Sequence, residues 1–216
     1  MNKISLSSVD LLAVSSIKID ETIASLQKCL SKVEFRSAKL ISHKKPENLP
    51  HEISFEICSN INSIMEYNQF IFSGLGSYVE GSHVLIIQYD SYILNADLWR
   101  EEWLKYDYIG APWSWQKSSY VTDYGEHVRV GNGGFSLRSK KLLEIPKKLG
   151  LKLESRMGYF NEDGNLCVYA RKKLLEQGIK YAPVEVAARF SYENEVPENK
   201  GIKTFGFHKN LPKGER

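Results

Sequence analysis

The sequence predicts an α/β protein with a mostly parallel central sheet flanked by helices. Two observations lead there. In the first half of the chain, short apolar runs of strand length alternate with segments whose apolar residues fall at helical spacing, the pattern of strand–helix crossovers. The strongest strand-like run, in "SHVLIIQYDSYIL", is apolar without alternation, as expected of a strand covered on both faces. With 216 residues, 42% of them apolar and 25% charged, the chain can bury a full core in one domain.

The elements follow in order. Residues 11–14 form an apolar run that ends in small polar residues and reads as a buried strand. "IDETIASLQKCLSKV" carries Ile23, Leu26, Leu30 and Val33 on one helical stripe, with Asp20 as the expected N-cap. "SAKLISHK" and "EISFEI" read as the second and third strands. "NINSIMEYNQFIFSGL" reads as a helix stopped by Gly74 or Gly76. The strand in "SHVLIIQYDSYIL" breaks at a polar corner, Gln88 to Ser91. "DLWREEWLKY" reads as a short helix and "YDYIGAPW" as a strand closed by Pro112. Residues 114–129 read as a loop, "RVGNGGFSLRS" as a strand and "KKLLEIPKKL" as a helix. "NLCVYARKKLLEQG" reads as a helix ended by Gly178, and "IKYAPVEVAARFSYE" as a late strand. The rest is loop except "TFGFHK", with a small mixed C-terminal sheet expected.

Composition narrows the function. Net charge is +3, from 29 basic and 26 acidic residues, too balanced for a nucleic-acid footprint. Cys29, Cys58 and Cys167 are far apart and form no CxxC pair, which points to reduced thiols rather than a disulfide framework or a zinc knuckle. The first residues lack a signal-peptide apolar core, and no run is long enough to span a bilayer. A cytoplasmic protein is expected, with peripheral contact at the inner face of a membrane left open. No GxSxG or Cys–His arrangement suggests a hydrolase.

Four short features carry the candidate chemistry: "QYDS" at 88–91, "GNGG" at 131–134, "NED" at 161–163 and "FGFH" at 205–208. A carboxylate at the end of a buried strand, Asp90, can hold a hard divalent cation or cap the next segment. Glu162 and Asp163 precede a helix, where acids are favoured by the helix dipole and where one of them can also serve as a general base. His208 is either a structural histidine or a metal ligand. Gly133 and Gly134 stand inside a strand-like run, which implies a close approach of a ligand or another chain segment. Trp113 and Trp115 form either a core plug or a binding platform. Arg129 and Arg138 read as solvated charges at strand ends, with help to phosphates as the second reading.

The order of these pieces resembles the GT-A class of nucleotide-sugar glycosyltransferases. The run "GGFSL…NED…FH" is similar to inverting β-1,3- and β-1,4-glycosyltransferases. A closer likeness is to an uncharacterised bacterial domain family associated with polysaccharide synthesis, carried by "IIQYDSYI", "YDYIGAPW", "VGNGGFSLRS", "YAPVEVAARFSYE" and "FGFH". The resemblance implies a single GT-A-like domain, with residues 1–95 binding nucleotide and 96–216 binding acceptor and carrying catalysis. It implies Mn²⁺ or Mg²⁺ held by Asp90 and His208, and Asp163 as catalytic base with Glu162 beside it on acceptor or sugar. The donor would meet Val14, Ser15, Gln88, Asp90, Gly133 and Gly134; the acceptor would meet Trp113, Trp115 and Asn132. Gln88 stands where the class carries a first acid and is expected to bond the ribose or a water. The implied activity is transfer from a nucleoside-diphosphate sugar, a UDP-sugar being usual, to a glycan or lipid-linked saccharide. Two rivals stand beside it: a non-catalytic sugar- or nucleotide-binding subunit of a polysaccharide assembly complex, and a nucleotidyltransferase. The latter ranks last because "LLAVSSIK" is not a glycine-rich basic signature.

Overall fold

The structure is a computed structural model and describes residues 3–115, 120–155 and 161–214. Strand β1 (Ile4–Val14) is the axis of the molecule, and its last six residues are all buried. It pairs in parallel with β2 (Val33–Ser42) on one side and with β4 (His83–Ile87) on the other. β3 (Ser54–Ile57) extends the sheet beyond β2. β9 (Phe135–Ser139) runs antiparallel to β4, and β6 (Tyr108–Ile109) closes that edge, giving the order β3-β2-β1-β4-β9-β6. Both β4 and β9 are buried at every position, which is why their sequences show no alternation.

Successive residues of β1 feed opposite faces. Leu11 and Ala13 join Ile23, Leu26 and Cys29 of α1 (Ile19–Leu30) in one core cluster. Leu12 and Val14 join Ile71 of α2 (Ile64–Ser73) and Leu143 of α3 (Lys140–Lys148) in another. Helix α2 begins at Ser63, whose hydroxyl accepts from the Glu66 amide, and stops at Gly74. Beyond the main sheet, β5 (Ser91–Ile93), β10 (Ser191–Tyr192) and β11 (Gly206–His208) form a small mixed sheet in the order β10-β11-β5. A two-stranded ribbon pairs β7 (Ala111–Pro112) with β8 (Val130–Gly131).

Several elements differ from the sequence reading. Asp20 lies in the first turn of α1 rather than at its N-cap, which is Lys18 in a left-handed conformation. "DLWREEWLKY" forms two 3₁₀ turns, Ala96–Leu98 and Glu101–Lys105, wound around the buried Trp103, instead of one amphipathic helix. "YAPVEVAARFSYE" is mostly helix, α6 (Val184–Phe190), and only Ser191–Tyr192 is strand. The β-branched valines suggested a strand, but Ala187, Ala188 and Phe190 are buried as a helical face. The helix expected from Asn165 begins earlier. A turn, α4 (Glu162–Gly164), leads into a π-helical stretch, Asn165–Tyr169, and then α5 (Arg171–Glu176). Positions 116–119 of the expected loop lie outside the described residues.

The chain leaves β1 toward β2 on one side and later returns through β4 on the other. Strand order therefore reverses between β1 and β4, and a crevice opens beyond their carboxyl ends.

Candidate active site

The crevice holds a cleft of about 290 Å³ lined by Val14, Ser15, Ile17, Ile64, Tyr67 and Gln88, among others. Its mouth is apolar: Ile17 and Ile64 are each 72% exposed. The floor ends in the turn from β4 to β5. There the Gln88 amide donates to the Gly134 carbonyl at 3.1 Å, and the buried Ser91 hydroxyl donates to the same carbonyl at 2.7 Å. The Lys209 amide donates to the Asp90 carbonyl, which brings the end of β11 against this turn. Gln88, Asp90 and His208, up to 120 positions apart, are thus brought to one point.

His208 is buried in this cluster. Its Nε2 lies 3.4 Å from Asp90 Oδ1 and 3.1 Å from Gln88 Oε1, and its Nδ1 lies 3.2 Å from Glu193 Oε1. Burial works against a charged imidazole, but the contacts to Asp90 and Glu193 outweigh it and raise the pKa of His208. Burial also works against ionised Asp90, yet His208 and Lys209 hold its carboxyl below the usual range. Asp90 Oδ1 is buried and accepts no hydrogen bond.

Asp163 sits half-buried on α4. Its Oδ2 accepts from the Gly133 amide at 3.2 Å and its Oδ1 from the Gly164 amide at 2.8 Å. Burial, then the neighbouring Glu162 carboxylate, push its pKa up to about 6, partly offset by Arg138. Glu193 also acts on Asp163. Glu193 thus contacts His208 and acts on Asp163 through its charge, a residue the sequence reading missed because nothing in "SYENE" separates it from the other acids of that loop.

Other candidates are placed differently from the expectation. Glu162 is buried, and both its carboxylate oxygens accept from Arg138, at 2.8 and 2.9 Å. Arg138 is not a solvated charge; it is fully buried within β9. The two glycines make room for protein side chains. A Cβ on Gly133 would stand 1.8 Å from Glu162 Oε1, and one on Gly134 would stand 2.2 Å from His208 Nε2. Trp113 is a core plug: it is buried, stacked on Tyr120 at 3.9 Å, and fills the space left by Gly131. Trp115 is 56% exposed, with the Arg129 guanidinium 4.2 Å from its ring centre. Arg129 also pairs with Glu198 at 2.9 Å. Gln88 donates to the Tyr67 hydroxyl at 2.9 Å rather than pointing into open space. Asn132 is buried at a positive φ of 74°; its Oδ1 accepts from the Gly134 amide, and its Nδ2 has no partner.

The residues fit a divalent cation in part. Asp90 Oδ1 and His208 Nε2 are an oxygen–nitrogen pair of the kind such ions take, once the Nε2 proton that faces Gln88 Oε1 and Asp90 Oδ1 is given up. Glu193 on Nδ1 is the outer partner that orients a ligating imidazole. Among the described residues no three His, Cys, Asp or Glu side chains are grouped to hold an ion, so Asp90 and His208 would be the protein's two ligands.

A family model described as "Protein of unknown function (DUF5672)" matches residues 50–208. The chain belongs to this family. The family match contains the Asp90 corner, the glycine pair, Glu162–Asp163 and His208. No curated protein matches the chain. Among solved structures, the galactosyltransferase LgtC in complex with donor and acceptor sugar analogs superposes with a TM-score of 0.58 at 15% identity, covering 94% of this chain and 87% of LgtC. The glycosyltransferase GlyE of Streptococcus pneumoniae superposes with a TM-score of 0.52 at 12% identity, covering 97% of this chain and 55% of GlyE. These likenesses establish the fold as GT-A. None of the described helices is long and apolar enough to cross a membrane.

Proposed function

We propose that the protein is a metal-dependent, inverting glycosyltransferase that moves a sugar from a nucleoside-diphosphate sugar, a UDP-sugar by preference, to a hydroxyl of a bacterial surface glycan or lipid-linked saccharide. The observation that carries this reading is the convergence of Asp90 and His208 at the β4–β5 turn beside the β1–β4 cleft, with Asp90 Oδ1 buried, 3.4 Å from His208 Nε2 and accepting no hydrogen bond. The cleft walls, Val14, Ser15, Ile17 and Ile64, offer an apolar slot for a base, and all lie within residues 1–95. Asp90 and His208 would hold Mn²⁺ or Mg²⁺, which supplies positive charge to the departing diphosphate. Asp163, kept neutral more readily than an ordinary carboxylate, titrates near the working pH of a general base. Its role is to take the proton of the acceptor hydroxyl as that oxygen attacks the anomeric carbon. Trp115, exposed beside Arg129, offers a sugar-stacking face on the acceptor side. Asn132 Nδ2 is a free donor on the same turn as Gly133 and Gly134.

The test is a donor panel. The protein is incubated with Mn²⁺ and a series of nucleotide sugars, and released nucleoside diphosphate is measured with and without chelator. Release from one donor, abolished by chelator and by Asp90→Ala, is expected. A second reading, a non-catalytic nucleotide-sugar-binding subunit, draws on Gln88, an amide that adds no charge to the Asp90–His208 pair. Tight donor binding by calorimetry with no release under any metal, with or without an acceptor panel, would favour it.

A further inference from the structure

Among the described residues, the most deeply buried ion pair joins Arg138 of β9 to Glu162 of α4, with side chains 0% and 5% exposed. Each of the three guanidinium nitrogens donates a hydrogen bond. NH1 and NH2 donate to the two oxygens of Glu162, Nε donates to the Ser136 hydroxyl at 3.0 Å, and the Tyr108 ring lies 5.0 Å away. An ion pair this dry stabilises little, because the cost of removing both charges from water offsets their attraction, and an apolar pair would fill the core as well. Its value lies in what it fixes.

Glu162 and Asp163 share one turn, and that turn is held from three sides. Arg138 holds it from the sheet. Asn68 of α2 accepts from the Glu162 amide at 3.2 Å. Gly133 lets the Glu162 carboxylate pass and donates its own amide to Asp163 Oδ2. The charged groups facing Asp163 are then set: Glu162 beside it, Glu193 from the loop after β10, and Arg138 behind Glu162. Tyr108, Tyr120 and Cys167 also feel its charge, and burial keeps all three neutral.

We propose that Arg138 and Glu162 form a positioning pair for Asp163: the two-pronged contact seats the Asp163 carboxyl against the Gly133 amide and fixes the charge around it, while Glu162 itself touches no substrate. The proposal rests on Asp163 as the base of the transfer reaction. Removing Glu162's charge takes away a negative neighbour, so Asp163 loses its proton at lower pH.

Three variants of the full chain test this: Glu162→Gln, the charge-free double variant Arg138→Gln with Glu162→Gln, and Arg138→Lys, which keeps the charge and loses the fork. Two readouts are used. One is the titration of Asp163 followed by NMR of carboxyl-labelled aspartate, which needs no substrate. The other is kcat and donor KM for the donor found by the panel. Glu162→Gln is expected to lower the Asp163 midpoint by at least half a pH unit. The double variant and Arg138→Lys are expected to lower kcat by at least tenfold with donor KM within threefold. If Glu162→Gln fails to fold because Arg138 is left unpaired, the other two variants decide. An unchanged Asp163 midpoint together with kcat within twofold of the parent in folded Arg138→Lys or the double variant overturns the proposal. If Asp163→Asn keeps full transfer activity, the base assignment falls, and the midpoint in these variants still shows whether the pair controls Asp163.

Discussion

Two aspartates, Asp10 within the central sheet and Asp163 on α4, are held in opposite ways. Asp10 lies within β1, away from the crevice, and is fully buried. Burial works to raise its pKa, but the Gly81 amide, the Ser37 hydroxyl, the Glu80 amide and Arg36 outweigh it, and the carboxyl titrates below the usual range. Asp163, on α4, also accepts two amides, but burial and then the neighbouring Glu162 carboxylate outweigh them and push its pKa up to about 6. Asp90, on the same side, keeps one buried oxygen without a hydrogen bond. Asp10 and Asp163 each accept two backbone amides, whereas one buried oxygen of Asp90 accepts none. Incomplete satisfaction is tolerated when a ligand is meant to finish the site.

That contrast can be broken or sharpened by experiment. The largest effect is expected from Asp163→Asn, which should lower the transfer rate about 10²–10⁴-fold while leaving donor binding unchanged. A variant that binds donor and turns over at the parent rate would remove Asp163 from the chemistry. Next, Asp10→Ala should cost about 2–4 kcal/mol of stability, since it strands the Gly81 and Glu80 amides without an acceptor. Urea denaturation measures it, and transfer activity at low temperature should persist.

The pH dependence runs in opposite directions for the two groups. The folded chain holds the Asp163 proton more tightly than the unfolded chain, so its contribution favours folding below about pH 4 and is lost as pH rises through about 6. Asp163→Asn should therefore be more stable than the parent at pH 8, by up to about 3 kcal/mol, and lose that advantage at pH 4. Asp10 stabilises the fold above its unfolded value near 3.8, and that contribution disappears as pH falls through its lowered native value. Thermal melts of both variants across pH 3–8 would show the two slopes. Smallest, Gly134→Ala should cost about 1–3 kcal/mol by forcing a methyl group into the His208 ring. It should also weaken chelator-sensitive nucleotide binding measured by calorimetry, because His208 must move.

Part of this arrangement was legible in the sequence. The apolar runs at β1, β2 and β4 announced a sheet covered on both faces, and the polar corner at 88–91 announced the end of β4. Helix α6 was not legible, because the valines of "VEVAARF" favour strand locally and only burial of Ala187, Ala188 and Phe190 decides for helix. Glu193 was not legible either. It is one acid among several in its loop and acquires meaning only when β10 pairs with β11 and brings it to His208.

The sequence by itself determined where strands would end in polar residues and which side chains could carry charge there, since burial of apolar runs is a local requirement of composition and spacing. Only the tertiary structure decided which of those charges is spent inside the protein. Glu162 was drawn onto Arg138, 24 positions away, and His208 onto Gln88, 120 positions away, through gaps that Gly133 and Gly134 leave open. Such pairings depend on the approach of distant elements to within a hydrogen bond's length, and no local pattern encodes that distance.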